Sequence, residues 1–328
     1  MSKSFDFKKF LSKNSIWIVL IVMIIAMTFA SPVFMTSGNL FNMLITESVI
    51  GILTMGIVFA ILSKGIDLSP GAIVAWTAAV AASLAQNPDY SDKKFKNLPD
   101  LPVILIVLIA LAAGTVFGLM NGLLIAYTKI PAFIATLGTQ LIARSLAYIY
   151  TNSYPIPNLK SSFKTLGQAK FFGFLPSIVL FFIVFVCIAG FMLTQTRFGK
   201  NVYAIGGNDQ AARVAGINVE KNLVKVYTWG AFCASMGGIL LVSRSGASST
   251  TMGLNYELDA IAAATVGGTS HSGGIARISG VIAGILILGI LKNGMLLLGV
   301  NSYLQQALKG VIIIVAVVFD MRKNVKKS

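Results

Sequence analysis

Charge is scarce in this sequence. Only 11% of its 328 residues are Asp, Glu, Lys or Arg, against about 25% in a soluble domain. That scarcity excludes an ordinary water-soluble enzyme. Histidine occurs once, as His271, and cysteine twice, as Cys187 and Cys233. A lone histidine cannot build a zinc site. Two cysteines, both inside apolar runs, give neither a disulfide framework nor a metal spacing. What the sequence has instead is apolar length, with 56% hydrophobic residues, too many for a disordered chain. Ten spans of about 20 residues would use about 200 residues. Only loops and tails are then left, with no room for a soluble catalytic domain. The expectation is an all-α polytopic membrane protein, one domain over 1–328, with about ten transmembrane helices.

The spans run roughly Ile16–Phe34, Phe41–Ser63, Ile66–Ala85, Leu101–Tyr127, Pro131–Tyr150, Phe174–Thr194, Val224–Ser243, Leu258–Gly267, Ile278–Leu298 and Tyr303–Phe319. Thr28-Phe29-Ala30 resembles a signal-peptide cleavage site, but the apolar run continues past it, which favours an uncleaved helix. The third and eighth spans, 66–85 and 258–267, are each polar at one end. They fit broken or re-entrant helices, which lipid permits only inside a protein bundle. The net charge is +15, from 26 Lys plus Arg against 11 Asp plus Glu. The basic residues collect at span ends, as membrane orientation requires, so no nucleic-acid partner is inferred. Ten crossings put both basic tails, with Lys3, Lys8, Lys9, Lys13, Arg322, Lys323, Lys326 and Lys327, on the cytoplasmic side. The 196–225 segment joins them. The 86–100 and 151–173 loops fall outside, and their lysines blur the bias.

Gly114, Gly118 and Gly122 form a small-residue stripe on one helix, and Gly280 and Gly284 another. Such stripes let helix backbones approach closely in lipid. Asn121-Gly122 precedes Gly138 by the interval at which Asn293-Gly294 precedes Gly310, and Gly65/Gly71 echo Gly268/Gly274. With the two Asn-Gly helices antiparallel, this is the pattern of an inverted repeat.

Ionisable groups inside spans are costly and mark candidate functional positions. Here they are Glu47, Asp67, Arg144, Arg244, Glu257, Asp259, Lys292 and Lys309. A helix-end anchor or a buried pair is the simpler reading of each. Neutral polar groups can bond a polyhydroxylated solute without trapping it by charge. Asn121, Thr136, Gln140, Asn293 and Gln305 are therefore the candidate substrate-pathway residues, with Thr139 and Gln306 beside them. Structural bonding between helices accounts for any one of them equally well.

The 198–218 segment differs in kind. It is punctuated by glycine, then helix-forming, then stopped. Asn208 suits an N-cap and Asp209 the first turn, and Gly216 suits the position just past a helix end. A helix of two turns over 208–216 is too short to stand alone in water, so it must dock. No phosphate loop is present, because Thr194 and Asn201 stand where Gly and Ser or Thr are needed around Gly199-Lys200.

The chain resembles the permease subunits of bacterial ATP-binding-cassette importers for monosaccharides, the ribose, xylose, arabinose and galactose/methyl-galactoside group. The resemblance lies in Gly65-Ile66-Asp67-Leu68-Ser69-Pro70-Gly71, Asn121-Gly122 with Pro131 through Gly138, and Thr196-Arg197-Phe198-Gly199 through Gly216-Ile217. It continues in Tyr256-Glu257-Leu258-Asp259-Ala260, Gly267-Gly268-Thr269-Ser270, Asn293-Gly294 and Lys309-Gly310. It implies a transport subunit without its own ATPase site or cofactor, ATP and Mg being held by a cytoplasmic ATPase. A second copy of the permease, an extracytoplasmic sugar-binding protein and membrane lipid are the other implied partners, in the bacterial inner membrane. Asn208, Asp209, Gln210, Ala211, Ala212, Arg213 and Gly216 resemble the ATPase-coupling helix. Gln210-Ala211-Ala212 with Gly216 resembles the Glu-Ala-Ala-x3-Gly signature of importer permeases, with Gln in place of Glu and without the signature's later Ile-x-Leu-Pro. The implied cargo is galactose, methyl galactoside or glucose, with ribose next. A permease of the same superfamily for nucleosides or branched-chain amino acids is an alternative, as is an ion-coupled secondary carrier.

Overall fold

Thirteen α-helices, and a π-helical turn Leu124–Thr128 that continues the fourth, are present among the described residues, which are 7–325 for the backbone and 15–322 for the side chains in this computed structural model. Lys3, Lys326 and Lys327 lie outside that range, as do the side chains of Lys8, Lys9, Lys13 and Lys323. In order the helices are α1 (Phe7–Ala30), α2 (Ser37–Leu62), α3 (Pro70–Leu84), α4 (Val103–Leu123), α5 (Ala132–Thr151), α6 (Ser161–Gln168) and α7 (Ser177–Gln195). Then come α8 (Arg197–Gly207), α9 (Asp209–Val214), α10 (Val219–Ser245), α11 (Tyr256–Val266), α12 (Ile278–Leu297) and α13 (Ser302–Val325). A two-residue hairpin, β1 (Lys170–Phe171) with β2 (Leu175–Pro176), precedes α7. Seven helices are long and apolar enough to cross a membrane: α2, α4, α5, α7, α10, α12 and α13. Two shorter apolar helices, Ser15–Ala30 within α1 and α3, add to them. The protein is a polytopic all-helical membrane protein.

Three departures from the sequence reading have local causes. The first helix stops at Ala30, short of Phe34, because Ser31 precedes Pro32 and a residue before proline avoids the helical region. The 151–173 loop contains α6, which buries Phe163 and Gly167. Ser243 Oγ on α10 accepts from Gly167 N at 2.8 Å and donates to Phe163 O at 2.7 Å. The glycine-punctuated start of the 198–218 segment is helical too, as α8. Thr196 Oγ1 caps it, accepting from Gly199 N at 3.1 Å, and Gly206 sits against the end of α2, where a Cβ would overlap Leu62 O.

The bundle has two distinct ends. At one, Gly274 N donates to Leu62 O at 3.0 Å, Lys64 Nζ to Gly207 O at 3.3 Å and Tyr203 Oη to Ala276 O at 2.8 Å. Asp320, near the end of α13, accepts from Ser270 Oγ at 3.0 Å and His271 N at 2.8 Å. This is the α9 end. At the opposite end Asn39 and Asn293 exchange side-chain bonds of 2.9 and 2.8 Å, and Ser248 N donates to Ile156 O at 3.0 Å.

At the centre stands α10, packed on α2, α3 and α4. The Gly114/Gly118/Gly122 stripe faces it: a Cβ at these positions would meet Ser235, Tyr227 with Ala231, and Val224. Gly280 and Gly284 face Gly267 and Ala263 of α11 in the same way. Close backbone approach replaces hydrophobic drive, which is absent between helices in lipid.

The third and eighth spans are each half helix. At 1.5 Å per residue, α3 rises about 22 Å and α11 about 16 Å, less than a hydrocarbon core of about 30 Å. Before α3, residues 63–69 climb as irregular chain from the α9 end. Before α11, residues 246–255 descend from the opposite end. The two helices therefore start inside the bundle, and their N-termini meet: a Cβ on Gly71 would overlap Gly253 O and the Glu257 carboxylate. This is the arrangement of inverted half-spans. It corrects the glycine echo: Gly65-Ile66-Asp67 before α3 answers Gly253-Leu254-Asn255 before α11. Gly268 and Gly274 lie in the turn beyond α11, packed by Gly274 against Leu62.

Gly118→Ala is expected to destabilise the protein in detergent by about 1–3 kcal/mol through overpacking. Gly190→Ala, with nothing within 4 Å of the new Cβ, should be neutral or slightly stabilising. Equal thermal unfolding of the two variants would contradict the packing described.

Candidate functional site

Three places concentrate polar chemistry. The first is α9. Asn208 is extended at φ −157° and its Oδ1 accepts from Ala211 N at 2.9 Å, which satisfies one of the free N–H groups of the first turn. Asp209 occupies that turn, where the helix dipole favours an anion. At the other end Gly216 turns left-handed at φ +81°. Gly216 N donates to Arg213 O at 2.9 Å and Ile217 N to Ala212 O at 3.0 Å, the paired bonds of a Schellman stop. Ala212 anchors the helix by packing with Ile205 and Val219. Arg213 Nη1 pairs with Glu220 Oε1 at 2.6 Å. The outward face, Asp209, Gln210, Ala211 and Val214, is exposed, Val214 to 91%. A six-residue helix is thus fixed at both ends, with Ala211 and Val214 as exposed apolar side chains. Beside this end, burial holds the His271 imidazole below the ordinary histidine range, with Asp320 pulling the other way.

The second place is the meeting of the half-helices. Two helix N-termini bring two partial positive charges to one point. Carboxylates answer them: Asp67 Oδ1 accepts from Ser69 N at 2.9 Å and Ser69 Oγ at 2.6 Å, and Glu257 and Asp259 sit in the first turn of α11. The irregular chain leaves carbonyls without helical partners. Arg144, past the midpoint of α5, takes two of them and one carbonyl from the first turn of α3. Its Nη1 donates to Thr250 O at 2.7 Å and Met252 O at 2.8 Å, and its Nη2 to Gly71 O at 2.9 Å.

The third place is a cavity of about 200 Å³ between α2, α11, α12 and α13. Glu47, Asp259, Lys292 and Lys309 line it, with Ser302, Gln305 and Gln306. Asp259 Oδ1 lies 2.5 Å from Lys309 Nζ, and its Oδ2 lies 4.0 Å from Lys292 Nζ.

The expected substrate-pathway residues fall at all three levels of the bundle rather than in one site. Asn121 is fully buried, donating to Ser69 Oγ at 3.1 Å and accepting from Thr139 Oγ1 at 2.5 Å. Thr136 accepts from Leu68 N at 3.1 Å, tying α5 to the irregular run before α3. Gln140 donates to Glu257 Oε1 at 3.0 Å, beside the half-helix junction. Asn293 is held by Asn39. Gln305 alone of the five lines the cavity. The four cavity charges were visible in the sequence as isolated intramembrane groups. Their convergence was not, since they stand on four helices and meet only because α11 begins halfway across.

Asn208→Ala should remove about 1 kcal/mol of local stability. Hydrogen exchange of the Ala211 amide should then be roughly fivefold faster, while amides in the middle of α10 keep their protection. An unchanged Ala211 rate would contradict the cap.

A family model described as "Branched-chain amino acid transport system / permease component" matches residues 39–317. The galactose/methyl galactoside import permease protein of Escherichia coli is 40% identical over 98% of this chain and 98% of its own length. The ribose import permease protein of Escherichia coli is 40% identical over 97% of this chain and 96% of its own. That of Bacillus subtilis is 36% identical over 98% and 97%. No solved structure gives a significant match. A permease component of this kind has no ATPase activity of its own. With the match spanning nearly every span from α2 to α13, the chain belongs to this family of membrane permease components.

Proposed function

We propose that the chain is the translocation subunit of an ATP-driven importer for a monosaccharide in the bacterial inner membrane. Its cargo on this reading is galactose or methyl galactoside, or ribose, the solutes named by relatives 40% identical along almost the whole chain. Nothing among those relatives singles out glucose. The observation that carries the mechanism is α9: a helix too short to persist alone, stopped at both ends, with Val214 exposed. Such an element is built to be gripped. A cytoplasmic ATPase docks there, and its motion reaches the bundle through α8 and α10, which flank α9 directly.

The α9 end then faces the cytoplasm. Its basic residues support this orientation: Arg197, Lys200, Arg213, Lys221 and Lys225 lie on or beside α8, α9 and the start of α10, as expected for cytoplasmic segments. At the opposite end lysines are occupied locally, Lys160 with Asp100 at 2.5 Å and Lys94 over the Tyr150 ring at 4.4 Å. Both termini are then cytoplasmic. A sugar-binding protein delivers solute to the opposite end, and a second copy of this chain and membrane lipid cover the apolar outer faces. The family description favours one second reading, branched-chain amino acid import on the same fold.

The test is reconstitution of the chain into vesicles with its ATPase and binding protein. Labelled galactose or ribose should accumulate with ATP, and the chain alone should carry neither. Val214→Glu and Gly216→Pro should abolish solute-stimulated ATP hydrolysis while leaving membrane insertion intact. Accumulation by the chain alone, or of leucine in place of sugars, would overturn the proposal.

A further inference from the structure

The cavity between α2, α11, α12 and α13 has an unbalanced lining. Of its four charges, Asp259 and Lys309 satisfy each other at 2.5 Å. The other two do not find partners so well. Glu47 is 6% exposed and, among the described residues, makes no ion pair within 4.0 Å and no side-chain hydrogen bond. Lys292 reaches only to 4.0 Å from Asp259. A buried carboxylate without partners is costly, and one in an apolar span more so. The fold nevertheless makes room for it: Gly289 on α12 lies beside Glu47, where a Cβ would come 2.5 Å from Glu47 Cγ. The space is graded as well. Glu47 and Asp259 are buried at its floor, and Ser302 and Gln306, near the α12–α13 turn, are exposed at its mouth. That turn belongs to the end opposite α9.

We propose that this cavity is a solute-recognition site within the permease itself, in which the hydroxyl groups of a monosaccharide supply the hydrogen bonds that Glu47 lacks and bond the Lys292 ammonium, whose ion pair with Asp259 is long at 4.0 Å. Glu47 accepts from one hydroxyl and the Lys292 ammonium donates to another. Gln305 and Gln306 bond the solute nearer the mouth. The four charges sum to zero, so a neutral polyol is bonded strongly enough to be selected and is not trapped by a net field. The Asp259–Lys309 pair ties α11 to α13 behind it, so movement of α13 relative to α11 would change the shape of the site. The inference rests on the sugar-import reading above and adds that selection continues inside the membrane domain after delivery by the binding protein.

The experiment is a substitution–analogue cycle in the vesicle-reconstituted complex with its ATPase and binding protein. Initial uptake of labelled galactose and ribose and of their monodeoxy analogues is compared for the parent, Glu47→Gln and Lys292→Met. In the parent, at least one deoxy position should slow uptake about fivefold or more relative to the full sugar. In Glu47→Gln that penalty should shrink to about twofold or less, with a different deoxy position relieved in Lys292→Met. A purely structural role predicts that each variant slows all analogues by one common factor, and that outcome overturns the proposal. Uptake of every sugar at the parent rate in both variants overturns it too. If the parent complex carries no sugar at all, the failure lies with the sugar-import reading instead.

Discussion

Lipid offers no hydrogen bonds, so a chain that breaks its helices inside a membrane must satisfy the freed backbone groups within the protein. Here that constraint falls on Arg144. Its guanidinium reaches three carbonyls, two from the irregular run before α11 and one from the first turn of α3. Arg suits this position because its donors are fixed in a planar fork and its charge persists when water is withdrawn. Around it, Gly71 lets the two half-helices approach, and Asp67, Glu257 and Asp259 offset the positive ends of their dipoles. Remove that meeting point and neither α3 nor α11 has a reason to begin where it does.

The break has a consequence for chemistry. An unbroken eighth span would carry Glu257 and Asp259 near the opposite end of the bundle. Because 246–255 descends first, Asp259 enters midway, beside Lys292, Lys309 and Glu47. The charged cavity is thus a product of the broken backbone. The same half-span ends in the 267–277 turn, which bonds α2 through Leu62, α8 through Tyr203 and α13 through Asp320. The helix that lines the cavity and the helices that hold α9 are therefore joined through one turn.

Much of this was legible in residues. Asn208 and Gly216 mark the ends of α9 because capping is local: an acceptor side chain at one end and a residue tolerant of positive φ at the other. The glycine stripe of α4 was legible because a four-residue interval places side chains on one face. The third and eighth spans announced their irregularity by polarity at one end. Other features were hidden for physical reasons. The helix α8 carries glycines that read as loop, yet Gly199 and Gly206 are there for close contact with α7 and α2. The glycine echo misaligned the repeat, since equal spacing in sequence says nothing about depth. Asn121 and Thr136 resemble solute-binding groups in composition, and the structure finds them bonding to the irregular run before α3. Glu47 and Lys309 sit on helices far apart in sequence, and no periodicity links them.

Arg144 holds the two half-spans together by their carbonyls. Substituting it with Lys keeps the charge and loses the fork. Hydrogen exchange in the full-length protein in lipid nanodiscs measures the result at each backbone amide. Markedly faster exchange is expected for amides of 250–256 and the first turn of α3 in Arg144→Lys, with the middle of α10 unaffected. Parent-like protection through 250–256 would contradict it.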